Sequence, residues 1–226
     1  MEPMDVIEAE LRRAMEEPGC PVCRLVEKFE DEEIETILYE HPNDPAVRRA
    51  FRRSGGLCRR HAWKVLRLAL SNPLLGPHGV SVIYEDVLES YLRGENETEE
   101  CLLCRLTAEK ERILIESLAD RLPNLIDTYE NSPAILCRRH YEGVLREITD
   151  ESLRRRFSEV QRRKLEGLRK RLEGLIKSFD YRAKRKPTEA ERRAILEAVE
   201  FLAGREVGPE RGRKERREKR WPLRLR

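Results

Sequence analysis

The chain has 226 residues, 39% of them apolar and 39% charged, with a formal net charge of +3. That length suits one substantial domain or two small ones, with a modest core. No run approaches the ~18 apolar residues of a membrane span, and the acidic start Met1-Glu-Pro-Met-Asp lacks the basic-then-apolar order of a signal peptide, so a cytoplasmic location is expected.

The charge is unevenly spread. Residues 181–226 carry a balance of +8, whereas residues 1–180 carry −5. Interleaved Glu, Lys and Arg at this density suit the ion-pair-rich surface of a thermophile protein, and equally a set of long solvated helices.

Taken in chain order, the elements read as helices. Leu25, Val26, Phe29, Ile34, Ile37 and Leu38 recur at the helical period. A second helix is expected after residue 61, from Trp63, Val65, Leu66, Leu68 and Leu70. Residues 106–118 repeat the pattern with Leu106, Ile113, Leu114 and Leu118, and Tyr141, Val144 and Leu145 begin another helix. From Asp150 to Phe179 a single apolar stripe runs through Leu153, Phe157, Val160, Leu165, Leu168, Leu172, Leu175, Ile176 and Phe179. A shorter helix is expected from Thr188, with Glu191 at the capping-box position, to Leu202, ending at Gly204. Pro42, Pro45, Gly55-Gly56, Pro73, Gly76-Pro77 and Pro133 mark connections. No two-residue alternation is sustained, so the expected class is all-α. Arg205–Arg226, rich in charge, reads as a disordered or loosely attached basic tail.

All six cysteines belong to two copies of one pattern. The first is Cys20-Pro-Val-Cys23 followed by Leu57-Cys58-Arg-Arg-His61, and the second is Cys101-Leu-Leu-Cys104 followed by Leu136-Cys137-Arg-Arg-His140. The first pairs are offset by 81 positions and the second pairs by 79, and the match runs on through Val65-Leu66 and Val144-Leu145. Such agreement implies an internally duplicated helical module. The expected division is a first metal-binding repeat over 1–90, a second over 91–150, a long and a short helix over 151–204, and the tail over 205–226.

Three thiols and one imidazole per copy make a full tetrahedral ligand set. In a reducing compartment, paired cysteines point to metal or redox chemistry. Two structural zinc ions are the first reading; iron–sulfur clusters and a disulfide or switchable thiol pair are the alternatives. A closed Cys3His zinc site carries a charge of −1, which Arg59, Arg60, Arg138 and Arg139 could offset as outer partners or as plain solvated residues. Each copy could close its own site, or the copies could exchange ligands, with Cys20 and Cys23 joining Cys137 and His140. The 33–35-residue separation favours local closure, since it can hold a helix that returns to its start. His41 and His78 read as surface residues, and Trp63 as a core anchor.

No Gly-rich phosphate loop, Gly-x-Ser-x-Gly or His-Glu-x-x-His occurs, so no catalytic residue is nominated and the chain reads as a non-enzyme. Arg211, Arg213, Lys214, Arg216, Arg217, Lys219 and Arg220, followed by Trp221, could neutralise phosphates, with Glu215 and Glu218 opposing. The functional expectation is a metal-binding helical module that acts through an unknown macromolecular partner. A redox or iron–sulfur sensor, and a nucleic-acid- or ribosome-associated protein, are the alternatives.

The chain resembles an uncharacterised family of bacterial and archaeal proteins of unknown function. The likeness rests on Cys20-Pro21-Val22-Cys23, Gly56-Leu57-Cys58-Arg59-Arg60-His61, the second ligand set, and Phe179-Asp180-Tyr181-Arg182 with Glu200-Phe201-Leu202-Ala203-Gly204. It spans residues 10–204 and departs at Leu102 and at Ala134-Ile135, where the first copy has Gly55-Gly56. The resemblance implies metal sites on a helical fold and supplies no reaction.

Overall fold

A computed structural model describes residues 5–95, 99–180 and 185–205. Among them are nine α-helices: α1 (Val6–Met15), α2 (Pro21–Tyr39), α3 (Pro45–Arg53), α4 (Arg59–Ser71), α5 (His78–Leu92), α6 (Leu102–Asn131), α7 (Arg138–Glu147), α8 (Glu151–Ser178) and α9 (Glu189–Ala203). Extended pairing among these residues is limited to one bridge between Gly19 and Ala134.

Local chemistry sets most helix starts. Asp5, Asp44 and Asp150 cap α1, α3 and α8 by accepting backbone N–H groups. Pro21 and Pro45 occupy the first turns of α2 and α3, where a missing N–H costs nothing. Thr188 and Glu191 form the expected capping box on α9, and Gly204 ends that helix at φ 81°. Gly56 is buried with φ 92°, a left-handed conformation that disfavours any Cβ, and it turns the chain just before Cys58. In the second copy the same place is extended: Ile135 N–H donates to Gly19 O at 3.1 Å. That difference accounts for Ala134-Ile135 standing where the first copy has two glycines.

Two apolar cores result, and neither is confined to one copy of the repeated pattern. One packs Leu11, Met15, Val22 and Leu25 against Leu114, Leu118, Leu122, Leu125 and Tyr129 of α6, with Val144, Phe157 and Val160. The other joins Ile34, Ile37 and Leu38 of α2 to Phe51, Val65, Ile83 and Val87, and to Leu103 at the start of α6. Thus α2 and α6 pack together in opposite senses, each with one end in each core. A third, smaller cluster (Ile135, Leu168 and Ala194) seats α9 on α8.

Four elements differ from the sequence expectations. Helices α1, α3 and α5 have no counterpart among them, and His78, exposed as expected, opens α5. Helix α6 runs 30 residues, past residue 118 and through Pro123. An internal proline costs about 3 kcal/mol, but Leu118, Leu122, Leu125, Ile126 and Tyr129 are all buried around it, at roughly 1.5–3 kcal/mol for each large apolar side chain. Trp63 is 57% exposed and is not a core anchor; Val65 and Ala69 form the buried stripe of α4, and Trp63 falls on the other face.

Candidate metal centres

Every Cys-x-x-Cys and Cys-x-x-His opens a helix. Cys20, Cys58, Cys101 and Cys137 are the N-caps of α2, α4, α6 and α7, and none uses its side chain to cap the backbone. Cys23, His61, Cys104 and His140 follow at the third helical position. These are the two positions that a capping box links, each side chain reaching the other residue's backbone N–H, so the spacing places both ligands together at the helix start. The positive end of the helix favours the thiolate form there.

The four helix starts meet in exchanged pairs. Cys20 and Cys23 of α2 converge with Cys137 and His140 of α7; Cys58 and His61 of α4 converge with Cys101 and Cys104 of α6. In each set the four ligand atoms lie within 4.8 Å of one another. Local closure of each copy is therefore incorrect. A separation of 33–35 residues is long enough for a local return, but burying α2 and α6 against each other in opposite senses puts the start of each helix beside the other copy's Cys-x-x-His.

Within the first set, His140 Nδ1 lies 3.2, 3.4 and 3.2 Å from the sulfurs of Cys20, Cys23 and Cys137, and the Cys23 and Cys137 sulfurs are 3.8 Å apart. Within the second, His61 Nδ1 lies 3.3, 3.4 and 3.4 Å from Cys58, Cys101 and Cys104, with Cys58 and Cys104 sulfurs 3.7 Å apart. All six cysteines are free thiols. Either set can hold a metal ion.

The outer nitrogen of each histidine faces a glutamate that the sequence reading missed. His140 Nε2 lies 2.5 Å from Glu111, which also accepts from Arg139 at 2.5 Å. His61 Nε2 lies 2.8 Å from Glu30, which accepts from Arg60 at 2.9 Å and has Lys64 at 3.2 Å. Glu30 is 1% exposed. A carboxylate on the distal nitrogen fixes the tautomer that leaves Nδ1 free to ligate. The signal was present: Glu30 and Glu111 stand 81 positions apart, the same offset as Cys20 and Cys101. It was hidden among 43 acidic residues with no ligand spacing to mark it.

Of the four arginines nominated, Arg60 and Arg139 thus hold glutamates rather than sulfur. Arg138 reaches along its own helix to Glu142 at 3.8 Å, and Arg59 is exposed. His41 and His78 lie apart from both sets, at the surface. Arg211, Arg213, Lys214, Arg216, Arg217, Lys219 and Arg220 lie outside the described residues.

Among themselves the ligand groups share protons unevenly. Burial disfavours imidazolium, yet Cys101 and Glu30 hold His61 up to about 9, and Cys137, Cys23 and Glu111 hold His140 up to about 11. Cys101 is brought down to about 6, against its burial, by the bond to His61. Cys137 is lowered by the thiols of Cys20 and Cys23 and then by His140. Burial and the neighbouring thiols push Cys20 up, and burial with Cys58 pushes Cys104 up to about 12. A metal entering either set must displace these protons, so its affinity falls in acid.

A second tier of contacts places Cys137. Tyr129, fully buried, donates its hydroxyl to Gln161 of α8 and accepts from Leu136 N–H at 3.0 Å; Gln161 Nε2 donates to Leu136 O at 2.8 Å. Both backbone groups of the residue before Cys137 are thereby held. Between the two ligand sets lies a cleft of about 860 Å³ whose walls include Cys23, Glu30, His61, Cys104, Glu111 and His140.

No family model matches the chain, and neither a curated protein nor a solved structure matches it. The likeness to the prokaryotic family therefore rests on the motifs alone.

Proposed function

We propose that the protein is a non-enzymatic interaction module whose helical framework is clasped by two zinc ions, one in each exchanged Cys3His set. The carrying observation is the convergence of three sulfurs and one Nδ1 within 4.8 Å in both sets. For Zn–S of about 2.3 Å, Zn–N of about 2.05 Å and tetrahedral angles, neighbouring sulfurs should stand about 3.8 Å apart and sulfur and nitrogen about 3.6 Å. The sulfur pairs at 3.7 and 3.8 Å match, and the sulfur–nitrogen distances of 3.2–3.4 Å are slightly tighter. A disulfide would need sulfurs at about 2.05 Å. A multi-iron cluster spreads its ligands over several metals, whereas each of these sets is sized for one ion.

With four protein ligands, such an ion has no open position for water or substrate, the mark of a structural site. Function then falls to the surfaces that the two clasps hold in place. Elemental analysis tests this directly. The expected result is colourless protein with about two zinc per chain, insensitive to reductant. Brown protein with visible absorbance, or thiols that cycle with oxidant without loss of metal, would refute it.

A further inference from the structure

We infer that the two ligand sets load with metal cooperatively, because each long central helix gives its thiols to one set and its histidine-supporting glutamate to the other. The inference rests on the metal-binding reading above and adds a coupling that the ligand count does not contain.

Helix α2 carries Cys20 and Cys23 for the set completed by α7, and its Glu30 faces His61 of the other set. Helix α6 carries Cys101 and Cys104 for the set completed by α4, and its Glu111 bonds His140 of the first. In both helices the glutamate follows the second cysteine by seven residues. Seven residues are close to two full turns, so thiol and carboxylate share a face about 10.5 Å apart along the axis. The same face lines the cleft between the sets.

Because α2 and α6 pack in opposite senses, their relative position is a single variable that both sets sense. Closing a metal on Cys101, Cys104, Cys58 and His61 ties α6 to α4, and the Glu30–His61 contact ties α2 to the same point. That fixes α2 against α6 in the register that presents Glu111 to His140 beside Cys20 and Cys23. The second ion enters a set already aligned, with its ordering cost largely met by the first. The converse order works identically, as linkage requires. Glu30 and Glu111 are positioning residues here, acting through the imidazoles.

Outer carboxylates of this kind change metal affinity about 10–100-fold, which bounds the coupling. For two otherwise equal sites at half saturation, independent loading leaves about half the chains with one ion. A coupling of 10–100-fold lowers that share to between about a quarter and a tenth. The experiment is native mass spectrometry of the reduced, metal-stripped full chain with limiting zinc, repeated for Glu111→Gln. The wild type should show mainly chains with no zinc or two. Glu111→Gln should raise the one-zinc share, and should also weaken the set built by Cys58, His61, Cys101 and Cys104, which Glu111 does not touch. Faster alkylation of Cys101 and Cys104 in the variant reads that second effect. A wild-type one-zinc share of half or more, or a variant in which only the His140 set weakens, overturns the coupling. A wild-type chain that takes up no zinc overturns the metal-binding reading itself. Should Glu111→Gln fail to fold, the wild-type distribution alone decides.

Discussion

Replacing Cys58 by alanine distinguishes exchanged from local pairing more sharply than any count of metal. Cys58 is only half-buried and caps nothing with its side chain, so its loss to alanine removes a ligand with little packing. If zinc is present at about a thousand times the dissociation constant of the intact site, occupancy stabilises the fold by about 4 kcal/mol. For a chain of this size each kcal/mol moves Tm by about 2–4 °C, so loss of one site should lower Tm by about 8–16 °C and the zinc content from two to one. The assay is timed alkylation of the zinc-loaded variant, with peptide mapping. Cys101 and Cys104 should react well ahead of Cys20, Cys23 and Cys137, because the ion that Cys58 helps to hold is theirs. Reaction of Cys20 and Cys23 ahead of Cys101 and Cys104 would refute the exchanged arrangement.

Tyr129→Phe should cost about 1–3 kcal/mol by urea unfolding, since Leu136 N–H and Gln161 lose a buried partner. It should also weaken zinc at the His140 set more than at the His61 set, because only the former depends on the backbone before Cys137. Asp86, on α5, is paired with Arg48 at 2.9 Å and Arg52 at 2.6 Å on α3. Burial opposes its ionisation, but the two guanidinium groups hold its carboxyl below the usual value of 3.8. The folded pKa is the lowered one, so the pairing stabilises fully above the unfolded pKa and is lost as pH falls through the folded value. Asp86→Asn should therefore be less stable than wild type by about 1–3 kcal/mol at neutral pH, and the gap should close below about pH 4; a gap independent of pH would argue against the ion pair. Gly56→Ala should cost about 1–2 kcal/mol in thermal unfolding because its φ of 92° is left-handed.

What could be read along the chain was whatever depends on neighbours within a turn or two. The apolar stripe of α8 as far as Leu175, the capping box of Thr188 and Glu191, the stop at Gly204 and the all-α class are of this kind, whereas Ile176 and Phe179, counted into the stripe, are exposed. So were the eight candidate ligands, because N-cap and third-position residues converge whatever the rest of the fold does. Short helices were harder. Helix α3 has a single fully buried residue, Phe51, and so offers little period to detect. The expected helix over 106–118 fell short of the end of α6, because the burial that carries that helix through Pro123 comes from α1, α7 and α8.

The sequence by itself determined that there are two ligand sets, that each holds three thiols and one imidazole, and that each pair is aimed from the start of a helix. Only the tertiary structure decided which pairs meet. That choice depends on how α2 and α6 bury their apolar faces along each other, a long-range balance that no spacing within 33–35 residues encodes. The same packing turned two ordinary-looking glutamates, seven residues beyond Cys23 and Cys104, into the groups that orient His61 and His140.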